Sequence, residues 1–148
     1  MKDLKSLALC WLMLCGAMFL SAQTPEWQWA VSAGGTAEDR GIATVVDDQG
    51  NQYVTGRFGE TATFGPNTFT SNGNYDIFLA KLGPAGNWLW AIQAGGIGDD
   101  RGIAIALDNA GNIHLAGYFS DTVTFGTQSL TSSGYYDIFA AKLDSAGN

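Results

Sequence analysis

Two segments of this 148-residue chain, "EDRG" from Glu38 and "DDRG" from Asp99, set a carboxylate directly before a guanidinium, and they stand 61 residues apart. Arginine forks onto a carboxylate through two parallel hydrogen bonds, so each Asp-Arg pair can brace the protein against itself or capture a ligand carboxylate. Asp39, Arg40, Asp100 and Arg101 are therefore candidate binding residues, and their recurrence favours the brace. Tyr75 and Tyr136, each just before Asp-Ile-Phe, and Trp88 and Trp90, which alternate in "WLWAIQAGG", are the aromatic candidates. Such rings serve as core packing or, if exposed, as platforms for sugar rings.

Other residue types that could do chemistry lack the company it needs. His114 is the single histidine, its counterpart 61 residues earlier is Tyr53, and nothing close in sequence nominates a base or acid to orient it. Glu60 and Asp121 recur as one carboxylate per unit, without the second acid of a glycosidase pair. "DDQGN" from Asp47 and "DNAGN" from Asp108 have the acids and glycine of a calcium loop but not its distal glutamate or spacing. "GPAGN" from Gly83 makes the same pattern without any acid, so all three read as tight turns. No metal, cofactor or catalytic residue is assigned.

The elements that must carry these residues follow from a repeat. Trp29 and Trp90, Arg40 and Arg101, Phe64 and Phe125, and Asp76 and Asp137 are each 61 residues apart, and about half the positions from Trp27 to Asn87 are identical to those one period on. A period of this length marks units that bury their faces on one another. In "GIAIALD" large Ile103, Ile105 and Leu107 alternate with small Ala104 and Ala106, which is strand periodicity. A turn, "IHLAGYF", a Thr-rich stretch with a small hairpin near Gly126, "DIFAAKLD", a third turn and a "WLWAIQA" strand complete one antiparallel four-stranded meander per unit. The innermost strands are expected near Gly41 to Asp47 and Gly102 to Asp108. Strands apolar or small on both faces need cover on both, which radial stacking of the meanders supplies.

The run "GIAIALDNAGNIHLAGYF…DIFAAKLDSAGN", with "WLWAIQAGG" as its tail, resembles the secreted bacterial repeat named SBBP, for seven-bladed β-propeller, a relative of the NHL-type blade. The resemblance covers residues 25 to 148 and implies an all-β fold of propeller blades. Two are present: residues 25 to 85 hold an outer strand, Trp27 to Ala33, and the first repeat, and residues 86 to 148 hold a second repeat that lacks its outer strand. The expectation is a fragment of a larger propeller, completed by further blades of the same chain or by self-assembly.

Residues 1 to 22 read as a secretory signal, with Lys2 and Lys5 ahead of an apolar run of about 14 residues and the small pair Ser21-Ala22 at the cleavage point. The run is shorter than the roughly 20 residues a membrane span requires, and neither cysteine follows a small residue as a lipoprotein signal would need. Both cysteines, Cys10 and Cys15, fall in this segment, so a mature chain from Gln23 has neither disulfides nor thiolate chemistry. It retains 5 basic and 13 acidic side chains, a formal charge of −8 that repels phosphate backbones and anionic lipid heads. Nucleic-acid partners and membrane insertion of the mature chain are disfavoured. The reading is a secreted or cell-surface binding or structural module for a glycan or protein ligand. The alternative is a propeller-fold glycan hydrolase or lyase with its active site mostly in other blades.

Overall fold

A computed structural model describes residues 24–148; the export signal expected over residues 1–22 lies outside them. The described chain is strand and turn throughout: β1 (Gly34–Gly35), β2 (Arg40–Val46), β3 (Gln52–Phe58), β4 (Thr61–Phe64), β5 (Asn67–Thr70), β6 (Asp76–Leu82), β7 (Trp88–Gly96), β8 (Arg101–Leu107), β9 (Ile113–Phe119), β10 (Thr122–Phe125), β11 (Gln128–Thr131) and β12 (Asp137–Leu143). β2, β3, β6 and β7 pair in sequence as an antiparallel meander, and β8, β9 and β12 repeat its first three strands.

Residues 47, 108 and 144 end strands because an aspartate there organises a turn. Asp47 Oδ1 accepts the amides of Gln49 at 3.0 Å and Asn51 at 2.8 Å, while Gly50, at φ 80°, closes back onto the Asp47 carbonyl at 2.9 Å. Asp108 and Asp144 repeat the arrangement, and Gly83 makes the same backbone turn without an acid. The innermost strands consequently stop at Val46 and Leu107, one residue short of the expected aspartates. A second correction concerns Ile103: a β-bulge between Gly102 and Ala104 takes it out of the alternating register and leaves it exposed.

The Thr-rich stretches form the hairpins β4–β5 and β10–β11, and each reaches back to the strand preceding its own repeat. β10 pairs with the end of β7, Val123 opposite Gly96 and Thr124 opposite Gly95. β4 likewise pairs with β1, Thr63 opposite Gly34 and Ala62 opposite Gly35. The approach requires glycine, because a Cβ on Gly96 would lie 1.7 Å from the Thr122 carbonyl oxygen and one on Gly35 1.9 Å from that of Thr61. Gly34 and Gly35, just after the expected N-terminal outer strand, pair this way, whereas Trp27 to Ala33, expected to form that strand, join no sheet.

The core lies on both faces of the first meander, as expected of strands apolar on both sides. Alternate residues of β6 divide between them: Phe78 and Ala80 join Phe58, Phe64 and Ala91, while Ile77 packs with Leu115, Phe119, Val123 and Phe139 of the second repeat and Leu79 with Tyr53 of the adjacent β3 and Ile113 of β9. Phe64 and Phe125 share the contact with the third strand, at 4.7 and 4.8 Å from the rings of Phe78 and Phe139, but Phe64 is buried and Phe125 only half-buried. Between the repeats the fully buried Thr55 donates its hydroxyl to the Phe78 carbonyl at 2.8 Å. Thr55→Val should cost roughly 1–2 kcal/mol, read as a lower denaturant midpoint at unchanged slope. The second repeat has Ala116 at this place and makes no such bond.

Candidate functional site

The segments leading into β2 and β8 converge with the ends of β3, β6 and β9 at one end of the meanders. An extended chain sends alternate side chains to the same face, and here it pairs each arginine with the acid two residues before it. Arg101 Nε donates to Asp99 Oδ1 at 2.8 Å, and its Nη2 contacts Oδ2. Arg40 pairs with Glu38 Oε1 through Nη2 alone. A tyrosine hydroxyl completes each unit: Tyr136 donates to Asp99 Oδ2 and Tyr75 to Glu38 Oε2, both at 3.1 Å.

Asp39 and Asp100 face the other way and clasp backbone, which corrects the expected Asp39-Arg40 and Asp100-Arg101 braces. Asp39 accepts from the Gly35 amide at 2.7 Å and the Gly59 amide at 3.3 Å. Asp100 accepts from Gly96 at 2.8 Å and is fully buried. These bonds hold the glycine pair of each outer strand in the turn that delivers the chain to the next repeat.

Between the repeats lies a stacked Arg-Tyr seam. Tyr75 meets Asp99 in a parallel bridge, and its carbonyl accepts from the Asp100 amide at 2.9 Å. The Arg57 guanidinium sits 3.8 Å from the centre of the Tyr75 ring, with Arg101 5.7 Å from the same ring and 5.5 Å from that of Tyr118. All three distances are within reach of cation–π attraction, which strengthens where the cation is desolvated. Arg57 is buried, and its Nη2 donates to Glu38 Oε2 at 3.0 Å. Tyr118 stands edge-on to Tyr136 with centroids 5.0 Å apart.

Electrostatics follow this packing. Burial pushes the Asp99 carboxyl up, but the Arg101 guanidinium and the Tyr136 hydroxyl outweigh it and hold it below the usual carboxylate range. Asp99 in turn raises Arg101 and locks its charge. Burial raises the Tyr136 hydroxyl, and its bond to Asp99 adds to the effect. Asp100 goes the opposite way, pushed up to about 7 by burial and by the nearby carboxyls of Asp76 and Asp99 against the hydrogen bonds it receives. Beside the seam opens a cleft of about 370 Å³ whose lining includes Ile97, Asp99, Asp121, Tyr135 and Tyr136. Ile97 and Tyr135 are largely exposed there.

The fold thus gathers Tyr75, Asp100, Arg101 and Tyr136 at one seam and sets Asp39 and Arg40 in the equivalent place one repeat earlier. Trp88 and Trp90 lie apart from it. Trp88 packs edge-on against Phe64 at 6.3 Å and Trp90 against Tyr53 at 6.1 Å, both half-buried against the core. Sequence reading missed Glu38, Arg57, Asp99 and Tyr118; the two-residue period of a strand is the signal that finds Glu38 and Asp99. It also missed a partner for His114, whose Nε2 lies 3.2 Å from Asp108 Oδ2, an oxygen it shares with Lys142 at 3.2 Å.

No protein-family model matches the chain. Over 83 residues it is 35% identical to an uncharacterized WD repeat-containing protein of Acanthamoeba polyphaga mimivirus, a match that takes in 51% of this chain. The chain spans 6% of that protein's length. Together with the antiparallel meanders and their 61-residue period, the likeness points to a β-propeller-like repeat.

Proposed function

We propose that the chain is a secreted, non-catalytic binding module built of SBBP-type blades, displayed outside the cell as part of a seven-bladed ring, with its ligand at the seam-side cleft. The observation that carries this reading is the division of labour at that end of the repeats. The charged groups of the seam neutralise one another and lock the blades in place, whereas Tyr135 and Ile97 at the cleft rim turn apolar surface outward next to Asp99 and Asp121. An aromatic anchor beside carboxylates on an acidic protein suits a protein segment carrying lysine or arginine. A glycan is the second reading, favoured by the exposed ring of Tyr135, 83% accessible and free to stack on a sugar face.

Peptide and glycan arrays probed in parallel separate the two. The expected result is binding to basic peptides that falls at least about tenfold in Tyr135→Ala. Polysaccharide turnover that is abolished by Asp99→Asn in a folded protein would overturn the non-catalytic reading.

A further inference from the structure

At the end of the meanders opposite the seam, a groove of about 540 Å³ runs between the two repeats, in the size range of small-molecule sites. The turn after β2 forms one wall and the turn after β8 the other, with Lys81 of β6 and Ser145 completing the lining. Both walls belong to repeats that pack on each other, so the groove is made by a contact within the chain. Most polar groups here recur with the period and serve the turns: Asp47 and Asp108 accept the amides of their own loops and the side-chain amides of Asn51 and Asn112. Two charges depart from the repeat, and both line the groove. Lys142 reaches Asp108 Oδ2 at 3.2 Å, whereas its counterpart Lys81 makes no ion pair among the described residues. Opposite Lys81 stands Tyr53 where the second repeat has His114. The Lys81 ammonium lies 4.8 Å from the centre of that ring and otherwise reaches only the Ser145 carbonyl, at 3.4 Å. The other charge is Asp48, exposed and likewise without an ion pair among the described residues, where the second repeat has the neutral Asn109.

We infer that this groove binds an amino-acid zwitterion, free or as the two ends of a short peptide, with its carboxylate on Lys81 and its ammonium against Asp48. A free cation and a free anion face one space without pairing with each other, and a ligand carrying both opposite charges neutralises both. With 14 acidic against 7 basic side chains, carboxylates are in excess in this chain, and the half-buried Lys81 is still left without one. The Tyr53 ring holds its ammonium in place without neutralising it, and the ligand carboxylate takes over from the long bond to Ser145. Asp108 on the facing turn adds negative charge, since hydrogen bonds from Asn112 hold its carboxyl well below the usual range. The mixed lining selects against other charge types. A simple anion meets Lys81 but also Asp47, Asp48 and Asp108, and a polyamine meets the acids but also Lys81. The groove lies at the opposite end of the strands from the seam-side cleft, and the inference does not depend on what that cleft binds.

Titration calorimetry of the full chain with L-alanine, L-alanyl-L-alanine and tri-L-alanine separates a free amino acid from a peptide as the source. The N-acetylated and the C-amidated forms of whichever binds test the two ends. The expected result is saturable binding of at least one zwitterion with a Kd of roughly 10 µM to 1 mM, weakened at least about tenfold by blocking either end. Lys81→Gln should weaken the free ligand by a similar factor but leave the amidated one as it was, and Asp48→Asn should do the same with respect to the acetylated one. A general loss of fold would not pair each side chain with one end of the ligand. Should a variant fail to fold, the blocked ligands on the unaltered chain still decide. No saturable binding at about 10 mM ligand, well above the weakest expected Kd, would overturn the inference. Binding indifferent to the blocked ends would overturn it too, as would variants that weaken free and blocked ligands alike.

Discussion

Phe64→Ala should destabilise the chain by roughly 3–5 kcal/mol, the range for emptying a buried phenylalanine site, and Phe125→Ala should cost clearly less. The two residues are equivalent by sequence and each packs on the phenylalanine of the third strand. Phe64, however, also meets Phe58 at 5.8 Å, Phe69 at 6.0 Å and Trp88 at 6.3 Å, and is 2% exposed. Phe125 has Leu130 where the first repeat has Phe69, no tryptophan among the described residues covers its hairpin, and it is only half-buried. A site open on one side can collapse or admit water after truncation, which lowers the cavity cost. Guanidinium unfolding of both variants at one protein concentration checks this, because any assembly makes the midpoint concentration-dependent. Equal losses would mean that the hairpin of the second repeat is covered in solution.

The architecture was legible because a 61-residue period repeats both the apolar alternation and its punctuation: turn glycines, Asp-Ile-Phe, Ala-Gly-Gly. Local rules govern those features, and local rules survive without coordinates. The pairing partner of each hairpin was not legible, since β10 reaches β7 across 26 residues and nothing in "TVTFG" names Gly95 and Gly96 as its target. The acid partners of the arginines were nearer to hand. In "DDRG" adjacency in the letters suggested Asp100 for Arg101, but adjacent strand residues point to opposite faces, so the partner is Asp99 and Asp100 turns to the backbone. Arg57 could not have been found this way. Its repeat counterpart is Tyr118, so it does not recur, and only the packing of the two repeats brings it over Tyr75.

Stability should fall as pH rises from about 5 to 8, and Asp100→Asn should flatten that fall. Asp100 is fully buried between the repeats, its Oδ1 has no hydrogen-bond partner, and burial together with Asp76 and Asp99 raises its carboxyl to about 7. An acid whose folded pKa lies above its unfolded value keeps its proton longer in the folded state. The folded state therefore binds more protons than the unfolded state between the two pKa values, and stability decreases with pH across that window. With an ordinary value near 3.8 and 1.36 kcal/mol per unit, the loss is on the order of 4 kcal/mol, complete above about pH 8. Asp76, raised mainly by burial, acts in the same direction. The carboxyls of Glu38, Asp47, Asp99, Asp108 and Asp144 are all lowered, so what they contribute is present above their ordinary values and is lost only in acid. Their window lies below about pH 4.5, under the pH 5 to 8 range in which Asp100 is read. Asparagine can still accept from the Gly96 amide but carries no charge to desolvate, so denaturant unfolding at pH 5, 6, 7 and 8 should give a falling series for the unaltered chain and a nearly level one for Asp100→Asn. Parallel series would show that the Asp100 carboxylate is solvated in the folded chain and that the seam between the repeats opens to water at this point.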